Sequence, residues 1–386
     1  MRGRAATVLQ VALPLTPALS PHAGRGRRLS LTGRATPAAL LRVLEREWEG
    51  AIQQHDTDKS PFPDRLLAVV RKFAPDVERL DKVVRLSGGA SQETWSLVAM
   101  RARGPERMIL RRAPAGVPVV EKIDLETEAA LMQAAERAGV PSPHVHYVIR
   151  PEDDFGRGFL MSHVDGEALG RKIVRDEQFA AIRPKLARQA GEILAAIHAI
   201  DPACLPNLPR IKPREEIETM FENYRRWSEP RPVFELAFRW ARERMPDESA
   251  KPRLVHGDFR NGNMLITPQG VSAVLDWELA HIGDPMRDLG WICTASWRFS
   301  VIDKPVGGFG QREDLMAGYE AAGGGRVDPK VLKFWELVGS MRWGVMCMGM
   351  GFRAKQSDRP VELSMIGRRT SENEIDLMRL LAPRGA

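Results

Sequence analysis

Two short apolar runs that each end in an acidic residue constrain this chain more than any other feature. The first leads through His256 to Asp258, and the second, residues 273–275, ends at Asp276. Asn263 lies five residues beyond Asp258. Short apolar runs bounded by glycine and asparagine are typical of strands joined by turns. The sequence therefore predicts two carboxylates and one carboxamide at neighbouring strand ends.

The spacing His-x-Asp-x-x-x-x-Asn is that of the catalytic loop of protein kinases, with Gly257 in place of its arginine. Phosphoryl transfer explains the residue types. Asp258 would accept or orient the proton of an attacking hydroxyl, and Asn263 and Asp276 would hold magnesium on the nucleotide phosphates. The alternative is a hairpin in which Asp258 and Asn263 only form turns. Turn formation would account for Asp258 alone, but the full set favours catalysis.

Length and composition indicate an ordinary globular protein. The 386 residues suffice for two lobes with sizeable cores, and 43% hydrophobic with 28% charged residues is typical of soluble chains. The longest apolar run, residues 343–352, is too short to span a bilayer, so no membrane association is expected. The cysteines at 204, 293 and 347 are isolated and odd in number. They indicate a reducing compartment, and we expect a cytoplasmic protein.

The net charge of +7 comes from the first 44 residues, which contain seven arginines and no acid. Residues 45–386 carry 50 basic and 50 acidic side chains and are neutral overall. Because a nucleic-acid-binding domain carries a basic excess, no nucleic-acid partner is predicted.

Residues 1–44 are rich in Arg, Pro, Ala and Gly, and we expect disorder to about Arg34 because such a segment buries little apolar surface. An acid-free, Arg-rich start also resembles an organellar transit peptide, whereas the interrupted apolar run at 8–13 fits a secretory signal poorly. The third interpretation, which residues 15–21 favour, is a translated upstream extension that is not native. We expect deletion of residues 1–34 to leave folding and activity intact.

A hairpin tip with glycines lies upstream of these motifs. It contains Gly88, Gly89 and Ser91, between strands at 83–86 and 95–100. Glycine lets backbone N–H groups approach phosphates closely, so these three residues are candidate nucleotide contacts. A Gly-Gly pair between strands can equally be only a turn.

The next predicted strand, residues 108–112, offers a cation where a protein kinase places its phosphate-binding lysine. The cation here is Arg111. A helix predicted from about residue 125 to 138 supplies Glu126 and Glu128 as candidate partners for it. Ordinary surface charges are the alternative.

A further strand at 158–163 ends in Val164-Asp165-Gly166, a turn that suits a hinge between lobes. Backbone groups around Met161 and His163 could hydrogen-bond an adenine edge. The chain beyond this turn shows helical periodicity, interrupted by the two motifs described first.

Taken together, the motifs resemble those of the aminoglycoside phosphotransferase-like kinases. More narrowly, the chain is similar to the branch that includes the kinase-like domains fused to some acyl-CoA dehydrogenases. The resemblance covers about residues 45–380. The segments that carry it are residues 86–91, 110–112, 140–143, 256–263, 274–278 and 283–289.

The resemblance implies an α+β, protein-kinase-like bilobal fold, with a small N-lobe built on an antiparallel sheet and a larger, mostly helical C-lobe. We place the N-lobe at residues 45–163 and the C-lobe at 164–386. The resemblance also implies ATP and Mg²⁺ as cofactors. It indicates Glu128, rather than Glu126, as the partner of Arg111. Arg111 departs from the lysine of related kinases, but a guanidinium fits phosphate bidentately.

The same resemblance implies that His256 braces the catalytic loop, that Asp288 anchors the lobe below it, and that flanking helices build the acceptor pocket. A polycationic acceptor would need an acidic pocket. Residues 213–250 have a net charge of −2 and residues 297–386 of +3, so no acidic excess exists. We therefore expect a neutral or acidic small molecule, such as an acyl or hydroxyacyl compound.

The predicted function is ATP-dependent transfer of phosphate to a small-molecule hydroxyl. A protein kinase is disfavoured because Asp276-Trp277-Glu278 replaces Asp-Phe-Gly and no Ala-Pro-Glu follows. A nucleotide-binding pseudokinase that acts as an interaction module is the other alternative. Such a module would not need Asp258, Asn263 and Asp276 together.

Overall fold

The computed structural model describes residues 62–88, 92–113, 123–247, 251–355 and 360–382. These residues form two compact units. The sheet unit holds the described residues up to 113 together with 146–160, and the helical unit holds 123–145 and 161–382. The predicted N-terminal extension, residues 1–44, lies outside the described residues.

The sheet unit is one helix against a five-stranded sheet with strand order β1-β2-β3-β5-β4, and β1/β2 and β2/β3 pair antiparallel. Residues 145, 161 and 162, at the ends of β4 and β5, belong to the helical unit. The elements are α1 (Phe62–Phe73), β1 (Val77–Gly88), β2 (Glu93–Arg101), β3 (Gly104–Ala113), β4 (Val145–Ile149) and β5 (Arg157–Ser162).

The core of the sheet unit forms because α1 is amphipathic. Its buried residues Leu66, Val69 and Val70 recur at helical spacing and pack with inward-facing strand residues such as Leu97 and Leu110. The alternation of the strands leaves their remaining side chains on the opposite face of the sheet.

The helical unit contains two short two-stranded sheets, β6/β9 and β7/β8, among its helices. Its elements are α2 (Leu125–Arg137), α3 (Gly170–Arg175), α4 (Arg183–Ala199), α5 (Pro213–Trp227), α6 (Pro232–Glu243), β6 (Arg253–Val255), β7 (Met264–Thr267), β8 (Gly270–Val274), β9 (His281–Gly283), α7 (Met286–Cys293), α8 (Arg312–Ala321), α9 (Pro329–Ala354), α10 (Pro360–Gly367) and α11 (Thr370–Leu381).

The 26-residue helix α9 is the centre of the helical unit. It is buried on nearly every side because α5, α6, α7, α10 and α11 pack around it. Its residues Phe334 and Met341 share a core with Tyr224 of α5 and with Phe234 and Phe238 of α6. Small residues on α9 permit this close packing, since a Cβ on Gly349 would lie 2.8 Å from the Trp227 ring.

The antiparallel sheet and the predominantly helical remainder confirm the predicted α+β, kinase-like fold class. The segment 123–145, which precedes the predicted division at 163, groups with the helical unit. One reason is a backbone hydrogen bond from Val274 N–H to the Pro141 carbonyl at 2.8 Å. The lobe limits themselves stay a prediction.

Two further expectations concern membranes and cysteines. Among the described residues, no helix combines the length and the apolarity needed to cross a bilayer. Cys204, Cys293 and Cys347 are all free thiols, so the chain carries no disulfide within these residues.

Candidate active site

Residues 256–263 connect β6 to β7, and residues 275–280 connect β8 to β9. Because β6 pairs with β9 (Val255↔His281) and β7 with β8 (Met264↔Val274), the two connections begin and end beside each other. We call the first the catalytic loop and the second the metal loop, after the roles that the sequence analysis predicts for them. The two motifs that are separate in sequence thus lie at adjoining strand ends.

Glycine at position 257 is required by the backbone of the catalytic loop. Gly257 has a φ of +85°, and a Cβ there would lie 2.3 Å from the Leu279 carbonyl oxygen. An arginine like that of protein kinases would not fit this conformation. The Gly257 carbonyl instead accepts hydrogen bonds from two arginines of other helices, Arg287 at 3.4 Å and Arg342 at 3.2 Å.

The Asp258 carboxylate is buried and held by three donors. Oδ1 accepts from Arg260 Nε at 3.1 Å and from Trp291 Nε1 at 2.7 Å. Oδ2 accepts from Asn263 Nδ2 at 2.7 Å. A carboxylate has about four lone-pair sites, so roughly one, on Oδ2, remains for a further proton donor.

His256 ties the catalytic loop to the metal loop. Its Nδ1 accepts the backbone N–H of Asp258 at 3.3 Å, so its proton lies on Nε2, which donates to the Leu275 carbonyl at 3.1 Å. Burial lowers the pKa of His256 below its ordinary value, against the opposing charges of nearby aspartates. The neutral tautomer is therefore the form that bridges the two loops.

Asp288, the third residue of α7, fixes the start of the catalytic loop. Its oxygens accept the backbone N–H groups of His256 at 2.7 Å and of Gly257 at 2.9 Å, and Oδ2 lies 3.2 Å from His198 Nε2. Burial alone would raise the pKa of Asp288, but the hydrogen bonds from His198 and Gly257 hold it at about 2. The carboxylate therefore stays charged and keeps the loop in place.

Asn263 and Asp276 occupy neighbouring ends of the β7/β8 hairpin. The Asn263 carbonyl accepts the backbone N–H of Leu275 at 2.8 Å, directly before Asp276. Asp276 has a φ of +67°, in the left-handed region that few residues other than glycine adopt. Such a conformation costs about 1–3 kcal/mol and recurs at functional sites.

Behind the catalytic loop, Arg287 of α7 forms a bidentate ion pair with Glu216 of α5, with Nη2 2.8 Å from Oε1 and Nε 2.8 Å from Oε2. Burial alone would raise the pKa of Glu216, but the charge and hydrogen bonds of Arg287 lower it to about 2. His281 lies beside this pair, and burial together with the charge of Arg287 lowers its pKa to about 3. His281 is therefore neutral at pH 7.

A cavity of about 670 Å³ opens next to this pair, within the helical unit. Its wall includes Glu278 and His281 from the metal loop and β9, and Arg342 from α9. Volumes of this size are typical of small-molecule sites. Its charged lining comprises four carboxylates and four guanidinium groups, from Asp124, Glu215, Glu216, Glu278, Arg210, Arg287, Arg342 and Arg353.

The remaining predicted site residues are spread over both units. Gly89 and Ser91 lie outside the described residues, and Gly88 ends β1 opposite Glu93. Arg111 lies on β3 in the sheet unit, where its Nη2 is 3.4 Å from Gln92 Oε1. Glu128, Met161 and His163 belong to the helical unit and are buried or half-buried. The Arg111–Glu128 pair and the adenine contacts stay predictions.

Four side chains that hydrogen-bond to the catalytic loop are not predicted by the sequence. Arg260 and Arg287 lie inside the kinase-like motifs, and this position was the one sequence feature that could have indicated them as site residues. Trp291 and Arg342 come from helices 33 residues beyond Asp258 and 85 beyond Gly257, where the sequence offers only apolar periodicity.

The sequence and the fold of this chain are similar to those of known proteins. The family model described as "Phosphotransferase enzyme family" matches residues 82–324, which is more than half of the chain. Acyl-CoA dehydrogenase family member 10 of Mus musculus is 30% identical over 203 residues, covering 49% of this chain. The matched region is only 18% of that relative's length, so this chain corresponds to a part of it.

Solved structures show the same fold at low identity. A protein from Ralstonia eutropha described as a putative aminoglycoside phosphotransferase has a TM-score of 0.64 and 22% identity, covering 82% of this chain and 97% of that one. Spectinomycin phosphotransferase, solved with ADP and spectinomycin, has a TM-score of 0.56 and 11% identity, covering 84% and 99%.

Proposed function

The chain belongs to the phosphotransferase enzyme family, and we propose that it transfers the γ-phosphate of ATP to the hydroxyl group of a small molecule. Asp258 is the base in this proposal, and Asn263 and Asp276 are the ligands of Mg²⁺. The observation that carries the proposal is the Asp258 carboxylate, which three donors hold in one orientation while one acceptor position on Oδ2 is left for an incoming hydroxyl.

The two proposed ligands, Asn263 of the catalytic loop and Asp276 of the metal loop, suit magnesium. Mg²⁺ prefers oxygen ligands and is usually bound by one or two carboxylates together with substrate phosphates. The side chain of Asn263 turns Nδ2 towards Asp258, and this leaves its side-chain oxygen, Oδ1, as a possible metal ligand. Among the described residues no group of three His, Cys, Asp or Glu side chains is arranged to hold a metal ion, and phosphate oxygens would complete this two-residue site. When bound, the ion neutralises charge on the phosphates.

On the nucleotide side, the environment of β3 supports Arg111 as the phosphate contact. The adjacent Arg112 donates to Glu93 at 3.0 Å and lies over the Phe62 ring at 4.6 Å, on the face covered by α1. Successive strand residues point to opposite faces, so Arg111 projects from the other face. Gly88, Gly89, Ser91, Glu128, Met161 and His163 complete the proposed nucleotide contacts.

The cavity in the helical unit is the proposed acceptor site. Its equal numbers of carboxylates and guanidinium groups give no excess negative charge for a polycation. A neutral or acidic hydroxylated compound therefore fits it better than an aminoglycoside. The solved relative that binds spectinomycin supports the general reaction but does not identify this acceptor.

The test is an assay of the purified chain with Mg²⁺-ATP and a metabolite extract, in which mass spectrometry identifies any product that gained phosphate. Asp258→Ala should abolish both product and ADP formation. Asp314→Asn, a change of an exposed carboxylate on α8, should leave them unchanged. Binding of ATP without turnover of any acceptor would instead favour the interaction-module alternative.

A further inference from the structure

Part of the cavity wall is formed by α5 and α9, which run in the same direction, and we call the part of the cavity along these helices the groove. At one end Glu216 of α5 pairs with Arg287, which shares the Gly257 carbonyl with Arg342 of α9. At the other end the guanidinium of Arg353 lies 6.0 Å from the Trp227 ring centroid. Eleven residues separate these landmarks on each helix. At about 1.5 Å of rise per residue, the groove is roughly 16 Å long.

Arg342, at the end nearest the catalytic loop, lacks a carboxylate partner among the described residues. Its Nη1 donates to the Gly257 carbonyl at 3.2 Å and its guanidinium lies 5.0 Å from the Trp291 ring centroid. No ion pair within 4.0 Å connects it to an acid among the described residues, in contrast to Arg287. Burial and the repulsion of Arg287 lower the pKa of Arg342 to about 10. A guanidinium has five N–H donors, so most of those of Arg342 are available to a ligand.

The body of the groove is mainly apolar, with Thr219 and Asn223 of α5 as polar members of its wall. Val345 and Met346 of α9 face Met220 of α5 between the two ends. At the far end Arg353 makes one polar contact within the residues that the structure describes, from Nη2 to the Met350 sulfur at 3.1 Å, and burial lowers its pKa. Thioether sulfur is a weak acceptor, so this end also presents donors.

We propose, on the basis of the function assigned above, that the acceptor is an elongated anion whose acidic group binds Arg342 and whose apolar body extends towards Trp227 and Arg353. A half-buried guanidinium without a carboxylate partner in the described part of the chain gains most from an anionic ligand, because charge-assisted hydrogen bonds are about twice as strong as neutral ones. Arg342 also contacts the carbonyl of the residue before Asp258. It is therefore a positioning residue that ties the acceptor to the catalytic loop.

The experiment uses calorimetric binding to the whole chain, with octanoate as the anion, octanol as its neutral analogue and octylamine as its cationic one. Octanoate should bind at least tenfold more tightly than the other two. Lengthening the carboxylate from butanoate to octanoate should raise affinity roughly fourfold per methylene, as apolar burial requires. Equal or tighter binding of octylamine or octanol would overturn the proposal. This comparison uses only the wild-type protein.

Variants then locate the anion. Arg342→Gln should weaken octanoate binding tenfold or more and leave octanol unchanged, and Arg342→Lys should restore part of the affinity. Arg226→Gln, a change of an exposed arginine on α5, is the matched control and should have no effect. An unchanged octanoate affinity in folded Arg342→Gln would overturn the assignment.

These outcomes are separable from those of the proposed function, because binding does not require phosphoryl transfer. If octanoate binds as expected but no acceptor yields ADP, the groove assignment stands and the kinase function fails. If the only phosphorylated acceptors are cations, the kinase function stands and the groove assignment fails.

Discussion

The indole N–H of Trp291 donates to Oδ1 of Asp258 at 2.7 Å. This contact links α7 to the proposed base and, with Arg260, leaves only Oδ2 of Asp258 open to a substrate proton. Orientation of the carboxylate thus depends on a tryptophan that no kinase motif specifies.

Trp291→Phe should reduce kcat about 10- to 100-fold, since a hydrogen bond to a charged group contributes roughly 1.5–3 kcal/mol. The KM for ATP should stay nearly unchanged because the aromatic ring is retained. Steady-state kinetics measure both. Trp343→Phe is the control, because the indole N–H of Trp343 has no hydrogen-bond partner within the described part of the chain. Equal kcat values in the two variants would contradict the positioning role of Trp291.

Gly257→Ala should destabilise the protein by about 3 kcal/mol or more, because it combines a positive φ with a Cβ contact 2.3 Å from the Leu279 carbonyl. Gly323→Ala separates the two effects. Gly323 has nearly the same φ, +86°, but no atom of the described residues lies within 4 Å of its Cβ position, so about 1 kcal/mol is expected. Urea unfolding measures the difference. Similar losses of unfolding free energy in the two variants would mean that the catalytic loop shifts to accommodate the added methyl group.

Asp288→Asn should cost about 2 kcal/mol at pH 7, because the pKa of Asp288 falls from its ordinary value of 3.8 to about 2 on folding. A depressed folded pKa gives stability that is present above the unfolded pKa and is lost as pH falls through the folded one. The gap to wild type should therefore be about half as large at pH 3. Unfolding curves at pH 7 and pH 3 test this, with exposed Asp314→Asn as the control. A stability difference between Asp288→Asn and wild type that does not change with pH would contradict the role of the Asp288 charge.

His281→Asn should make stability less dependent on pH below 6.5. Burial and Arg287 lower the pKa of His281 to about 3, so between these values only the unfolded state binds the proton. Stability then falls by up to about 1.4 kcal/mol per pH unit on acidification. From pH 7.5 to pH 5 the wild type should lose about 2 kcal/mol more than the variant. A slope in His281→Asn equal to that of the wild type would refute the prediction.

The fold class was predicted through the resemblance to the aminoglycoside phosphotransferase-like kinases, whose motifs are short and local in the sequence. Periodicity alone indicated single helices such as α1 and α5. The motif spacing likewise placed Asp258, Asn263 and Asp276 at adjoining strand ends, since pairing of β7 with β8 follows from a short hairpin.

The rest of the site could not be predicted because it depends on tertiary packing. Trp291 and Arg342 lie on helices whose periodicity marks them only as partly apolar faces. Their donors reach the loop because of how α7 and α9 pack together. The positive φ of Asp276 is also a tertiary result, since isolated aspartate rarely adopts it.

The anchoring of the catalytic loop by Asp288 has a consequence for the order in which the chain can fold. The acceptor atoms for the His256 and Gly257 N–H groups come 32 and 31 residues later in the sequence, and their His198 partner comes 90 residues before Asp288. During synthesis, the loop therefore leaves the ribosome before the carboxylate that shapes it. Its final geometry must arise late, when α7 docks, so nascent chains that stop before residue 288 should lack the native catalytic loop.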